Sequence, residues 1–455
     1  MNLKFTLLTG MVLLAHVAIG QNFNPMRYDE EYSGLKDSAK TVYNKIKYMP
    51  LSENGSTYVS LGGEVRGEID YSRNEDWGSM NLGTDIFFLQ RYHLHADLRM
   101  GNRLRIFGQL RSGLENGRKL GPRPIDEDQL NVQNLFLDIV PYRAQDESLT
   151  VRLGRQEIQY GSGRLIDMRD GPNLRLYFDG AKIAYASSKL HVDAFVMADA
   201  LLNTGLFDNS STYKPNLWGI YNTFISQKKN NFDFYYLGIN RREAKFDEGV
   251  GRELRHTLGA RLWRTGIGFV YNFEAGYQFG TFGINRISSF GLSSEIGYKF
   301  DQVKKLPSLK LRSDYISGDK AKDDGVLGSF NALYPNGGYF GMNPQVGPSN
   351  LVSIHPNLNW NPIPHITFTL DVLFSWRQST EDGVYGPSGL FRLSSFDSSK
   401  RFIGTAYITT FTWNISDSLN YNLGIQYFET GSFINDIIPQ HRDGFFVGSS
   451  MSFKF

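Results

Sequence analysis

Between Ile267 and Phe279 every second residue is apolar. Ile267, Phe269, Tyr271, Phe273, Ala275, Tyr277 and Phe279 oppose Asn272, Glu274 and Gln278. Period two is the signature of a β-strand with one greasy and one polar face. The same pattern recurs along most of the chain. Phe88, Tyr92, Leu94, Ala96, Leu98 and Met100 oppose Arg91, His93, His95, Asp97 and Arg99. After a Gly101-Asn102 turn, Leu104, Ile106 and Leu110 oppose Arg103, Arg105, Gln109 and Arg111. In the last segment, Gly444–Phe455, the residues Phe445, Val447, Met451, Phe453 and Phe455 share one parity. Strands of this kind are predicted from Thr57 to Phe455, about eighteen of them, an even number suited to a closed transmembrane barrel.

The connections support the same fold class. In chain order they alternate between long and short, as outer loops and periplasmic turns do in an antiparallel barrel. The long ones include Gly113–Leu130, Tyr160–Asn173, Arg242–Arg252, Gly280–Asn285, Gly318–Ser349 and Gln378–Lys400. A soluble sandwich has no reason to alternate this way. The aromatic fraction is 14 %, which suits girdles at two membrane interfaces. Mean hydropathy is −0.34, too polar for helical spans but compatible with a wet lumen.

Three segments are expected. Met1–Gly20 has Lys4, an apolar core from Leu7 to Val17 and a small-x-small Ala18-Ile19-Gly20 site, and reads as a cleaved signal peptide. Residues 21–56 form a polar periplasmic lead-in. There Leu35, Ala39, Val42, Tyr43 and Ile46 predict a short amphipathic helix over Ser33–Tyr48. Residues 57–455 form the barrel. Export with no helical anchor points to the outer membrane, with membrane lipids and lipopolysaccharide as surroundings.

The inward parity is rich in arginine, with Arg66, Arg91, Arg105, Arg152, Arg255, Arg312 and Arg377 among them. Acids share that side: Glu64, Glu68, Asp97, Asp193, Glu274, Asp314 and Asp371. One reading is a set of salt bridges that stiffen the wall. The other is an electropositive lane, because guanidinium groups grip carboxylates two-pronged and rings of cations select anions. Net charge, +2, does not decide between them. There is no Walker loop, HExxH or GxSxG, and no cysteine. No catalytic residue, metal ligand set, cofactor or nucleic-acid partner is expected. His93 and His95 lack an evident third ligand, and Asp319, Asp323 and Asp324 read as solvated loop acids.

Two stretches are more specific. One runs LGRQEIQYGSGRLIDMRD and then LRLYFDGAKIAY, within Val151–Tyr185. The other is YISGDKAKDDGVLGSFNALYPNGGYFGMNPQVGPSNLVSIHP, over Tyr315–Pro356. Together with Gly62–Arg66 (GGEVR), they resemble the alginate export porins, and the resemblance extends to the C-terminal strand. It implies an eighteen-stranded barrel that passes an anionic uronate polysaccharide through a constriction of lumen arginines and acids. By motif match, the constriction residues are Arg66, Arg155, Arg164 and Asp179. Strand parity adds Arg91, Arg105 and Arg377. The chain departs from the family pattern in its polar N-terminal segment and its Gly113–Leu130 loop.

The expected function is therefore passive conduction of such a polymer, with periplasmic export partners. Three alternatives stay open: a porin for small acidic sugars or other anions, an outer-membrane barrel enzyme, and a plugged structural barrel.

Overall fold

The computed structural model describes residues 23–38, 41–212, 214–227, 229–300, 303, 305 and 307–455. The signal peptide read over Met1–Gly20 lies outside the described residues. Eighteen antiparallel strands close into a barrel. In chain order they are β1 (Thr57–Arg73), β2 (Thr84–Met100), β3 (Leu104–Asn116), β4 (Asp128–Arg143), β5 (Glu147–Gln156), β6 (Phe178–Ser187), β7 (Leu190–Leu201), β8 (Leu217–Phe224) and β9 (Asn231–Phe246). The second half comprises β10 (Gly249–Arg264), β11 (Gly268–Phe282), β12 (Asn285–Lys299), β13 (Ser308–Ile316), β14 (Leu351–Trp360), β15 (Ile366–Arg377), β16 (Phe402–Asn414), β17 (Leu419–Thr430) and β18 (Gly444–Lys454).

Each strand pairs with its sequence neighbours, and the ring closes where β1 meets β18 in the register Glu64↔Lys454 to Arg73↔Phe445. The last residue completes the seam. Gly63 and Phe455 exchange backbone hydrogen bonds of 3.0 and 3.1 Å. Closure leaves no edge, which is the condition for a sheet to sit in hydrocarbon.

The parity read from sequence holds. Ile267, Phe269, Phe273, Tyr277 and Phe279 point outward and are exposed. Glu274 and Gln278 face inward, and Gln278 is fully buried. Phe269 to Phe279 spans ten residue steps, close to the length a tilted strand needs to cross the apolar core, about 9–11 residues.

Three expectations are corrected. Arg242–Arg252 and Gly280–Asn285 are not long loops: the ladders of β9/β10 and β11/β12 continue to Phe246↔Gly249 and Phe282↔Asn285, leaving two-residue turns. Glycine supplies a positive φ at Gly283 (φ 56) within the second turn and at Gly249 (φ 137), the first strand residue after the other. The connection expected over Tyr160–Asn173 runs on to Tyr177, and the next strand begins at Phe178, because Leu174–Tyr177 belongs to an inward-folded loop. Instead of one helix over Ser33–Tyr48, a 3₁₀ turn (Ser33–Leu35) precedes a short helix, α1 (Val42–Lys47), N-capped by Thr41 through the backbone N–H of Asn44.

The interior is filled by chain that is not part of the wall. The loop 157–177 after β5, the loop 317–350 after β13 and the loop 378–401 after β15 all fold inward. They share an apolar core with Phe195, Leu237, Ile316, Leu351 and Phe428 of the wall. The first two loops join across the lumen. Ile166 and Tyr334 form a parallel bridge, with Tyr334 N–H donating to the Leu165 carbonyl (2.8 Å) and Asp167 N–H to the Tyr334 carbonyl (2.9 Å).

Phe273 lies in mid-band on the outward face. Phe273→Arg is expected to reduce folding stability in bilayers by about 2–4 kcal/mol, measured by urea titration of refolding into lipid vesicles. An unchanged midpoint would contradict the outward parity.

Candidate functional site: the loop-lined constriction

Most inward arginines donate to backbone carbonyls of the segments that fill the barrel. Arg91 is fully buried and binds the 157–177 loop through the carbonyls of Asp170 (2.7 Å), Pro172 (2.9 Å) and Asn173 (3.0 Å), and through the Asp170 carboxylate (2.6 Å). Arg111 donates to Arg175 O, and Arg175 in turn to Pro25 O of the N-terminal segment. Arg255 holds Ser329 O of the 317–350 loop. Arg377 gathers the 378–401 loop through the carbonyls of Thr380, Asp382, Ser398 and Lys400, and lies 3.8 Å over the Phe433 ring. Charge-assisted bonds of this kind contribute about 1.5–3 kcal/mol each, and a guanidinium supplies five donors in one rigid plane.

The N-terminal segment is fixed in the same way. Arg27 donates to Gly63 O and Phe455 O, both at 2.9 Å, astride the seam that closes the barrel. Tyr28 is buried edge-on against Phe107 and Phe136, with the Arg152 guanidinium 4.4 Å over its ring. Arg105 donates to the Tyr28 carbonyl (2.6 Å) and pairs with Asp97 (2.7 Å). Lys47, fully buried at the end of α1, lies 4.7 Å over the Tyr32 ring, and burial together with the nearby Arg27 pulls its pKa down to about 7. The described lead-in is thus lodged against the inner wall of β1–β5.

The residues expected from sequence therefore part company. Arg91, Arg105 and Arg377 are anchors. Arg155 and Asp179 pair with each other in two prongs, 2.8 and 3.0 Å, and the Arg155 guanidinium lies 4.4 Å over the buried Tyr177 ring, which Arg111 also meets. Arg66 and Arg164 stay at the lumen. Arg66 reaches the carbonyls of Asp170 (3.2 Å) and Pro172 (3.3 Å) and stands 3.5 Å from Glu68. The Asp170 side chain is half exposed beside it. Burial pushes its carboxyl up, but Arg175, Arg91 and Arg66 hold it well below the usual carboxylate range.

Arg164 is set by the turn before it. Gly163 has φ +77, and a Cβ there would lie 2.4 Å from the Asp167 carboxylate, so only glycine fits. The turn aims Arg164 at Tyr339 Oη (2.9 Å), with Glu274 at 3.6 Å. Tyr339 comes from the other inward loop, presented by the 3₁₀ turn Gly337–Phe340, which Asn336 caps by accepting from Gly338 N–H. A second guanidinium, Arg312 of β13, lies 5.3 Å from the same ring, and Arg164 lies 4.9 Å from it. Burial raises the Tyr339 pKa to about 12, so the phenol stays protonated. Sequence reading placed Arg312 on the lumen side but gave Tyr339 no role. Its position depends on how a long loop folds back, which strand periodicity does not encode.

The opposite wall is dressed differently. On β14–β18 the lumen-facing positions below the constriction include Asn359, Thr369, Thr412, Asn422 and Ser450, which are partly exposed. They are hydrogen-bonded in a ladder, with Thr369 to Asn359 at 2.6 Å and Thr412 to Asn422 at 2.8 Å. Below the loops that wall is thus dressed with amides and hydroxyls, whereas Arg377 at its upper end holds the 378–401 loop.

A closed eighteen-stranded barrel with inward-folded loops is the architecture of an outer-membrane porin. The alginate export family matches residues 57–447, and the chain belongs to that family, an outer-membrane channel. Among solved structures, the outer-membrane protein OpdK of Pseudomonas aeruginosa is similar at a TM-score of 0.59 and 11 % identity, covering 87 % of this chain and 98 % of that one. A BenF-like porin of Pseudomonas fluorescens Pf-5 matches at 0.58 and 11 % identity, covering 87 % and 99 %. OccK2 (OpdF) of Pseudomonas aeruginosa in complex with glucuronate matches at 0.56 and 12 % identity, covering 87 % and 98 %. No curated protein matches the chain.

Replacing Arg27 and Tyr28 by alanine is expected to free the N-terminal segment from the wall. Single-channel conductance should rise severalfold with the barrel still folded. Unchanged conductance would mean that the segment does not narrow the bore.

Proposed function

We propose that this protein is a passive outer-membrane channel for an anionic, uronate-type polysaccharide such as alginate. The observation that carries this reading is the Tyr339 ring flanked by the Arg164 and Arg312 guanidiniums where the two inward loops meet. A uronate unit offers a carboxylate and a sugar face. Guanidinium pairs with the first, and an aromatic ring packs against the second. Arg66 adds a further cation at the lumen, and Arg91, Arg105 and Arg377 act by holding the segments that shape the bore.

Conduction also requires release. Glu274 and Asp314 beside Arg164, and Glu295 at 2.8 Å from Arg312, keep the cations from becoming a trap. A wet lumen screens charge beyond about 8 Å at physiological salt, so selectivity rests on the few charges at the narrowest point. The amide and hydroxyl ladder of β14–β18 suits sliding contact with sugar hydroxyls. No covalent chemistry is involved.

A second reading, passage of single uronates, is favoured by how much of the lumen the loops and N-terminal segment occupy. OccK2, similar in fold, is described with glucuronate bound.

Reversal potentials in planar bilayers under a salt gradient test the anion preference. Wild type should prefer anions, and Arg164→Glu with Arg312→Glu should abolish or reverse that preference. Long polyuronate chains should block the current for longer than monomers do. A cation-preferring wild type, or a double variant with unaltered preference, refutes the reading, and block by monomers alone selects the second one.

A further inference from the structure

We propose that the outer rim of β8–β10 binds the phosphorylated headgroup of an outer-leaflet glycolipid. The wall is notched there. β8 pairs with β9 only as far as Leu217↔Ile239, whereas β9 runs on to Phe246. A bulge between Arg241 and Ala244 turns Arg242 and Glu243 outward, and both are exposed. The notch holds a cavity of about 850 Å³ lined by Lys214, Arg241, Arg242 and Arg252, with Asp199 and Glu243 as the acids.

The charges do not cancel. Asp199 is occupied, accepting from Tyr334 Oη (2.6 Å) and Asn216 Nδ2 (2.5 Å). Arg241 turns inward to the Leu333 carbonyl (3.1 Å). Among the described residues, Lys214, Arg242 and Arg252 form no ion pair, and Arg252 meets only the Asn240 amide oxygen, at 3.4 Å.

Position in the membrane selects the ligand. Trp218, Gly238, His256 and Phe279 lie in one register row on the outward face. The His256 ring stacks on Tyr236 and Phe279, and its Nδ1 is 2.8 Å from Tyr236 Oη. Such a row of amphipathic rings marks the outer membrane–water interface. Arg252 precedes His256 by four residues on β10, toward the outer rim and also on the outward parity. That is roughly 13 Å along the strand, or about 9–10 Å along the normal at a 45° tilt, the level of headgroups rather than acyl chains. Phosphate suits a cluster of unpaired guanidinium and ammonium groups. A polymer threading the lumen would not meet Arg242 and Arg252, which project outward from the wall.

The test uses the full-length protein in detergent, with native mass spectrometry after adding bis-phosphorylated lipid A, dephosphorylated lipid A or inorganic phosphate. Lipid A should be retained, and Lys214→Glu/Arg242→Glu/Arg252→Glu should weaken retention by about tenfold or more, as expected for three cations acting on a phosphorylated surface. Arg242→Gln/Arg252→Gln is the milder variant should charge reversal impair folding, which heat-modifiable gel migration reports. Equal binding of dephosphorylated lipid A, binding that both variants leave unchanged, or inorganic phosphate bound as tightly as lipid A would each overturn the proposal. Displacement of lipid A by polyuronate at equal charge concentration would instead make the rim part of the polymer's route and also overturn it.

Discussion

Every backbone N–H and C=O in the hydrocarbon must find its partner within the protein, because no water is there to take its place. In this molecule that condition is met by a ring of eighteen ladders, and the ring depends on its seam. β1 and β18 are separated by nearly the whole barrel sequence, so theirs is the most non-local of the strand pairings. Phe455 extends the seam by one exchange of hydrogen bonds with Gly63, and Arg27 then caps the carbonyls of both residues. The N-terminal segment and the closing strand are thereby tied at one point.

Closing a ring of this size creates a second problem, because the interior is too wide to be filled by side chains from the wall. Here loops and the N-terminal segment enter it, bringing backbone groups that must also be satisfied. Arginine solves this economically. Arg91 and Arg377 each cross-link several carbonyls of one loop to the wall, whereas an amide or hydroxyl would satisfy one or two. The arginine content thus reflects how the lumen is filled as well as what passes through it.

The constriction follows from this packing. Tyr339 and Arg164 come from different loops, and they meet because the Ile166–Tyr334 bridge joins those loops across the lumen. Selectivity and loop packing therefore share residues. A change in the bridge would move the charges as well as the bore. The outer rim touches the same bridge from behind, through Asp199 on Tyr334 and Arg241 on the Leu333 carbonyl. Arg242 and Arg252, however, sit on the outward parity of the wall and answer to the membrane rather than to the lumen.

The barrel was legible because strand parity is a local property. A residue's face depends only on whether its position is odd or even, and the lipid on one side makes each error costly. Ile267–Phe279 and the closing strand could be read from the chain alone for that reason. Turn length was less legible: at Phe246↔Gly249 and Phe282↔Asn285 polar residues continue the ladder above the membrane, where no solvent difference marks the end of a strand. The site was legible only in part. Parity put Arg91, Arg105 and Arg377 on the inner side, but it does not distinguish a guanidinium facing water from one bound to a carbonyl brought in by a distant loop. The motif match named Arg155 and Asp179 but could not tell that they pair with each other in two prongs. What the sequence determined by itself is the alternation, the closure and the inward charge. Tertiary structure alone decided which of those charges are anchors and that Tyr339 stands between two of them, because those outcomes depend on how segments far apart in the chain pack within the lumen.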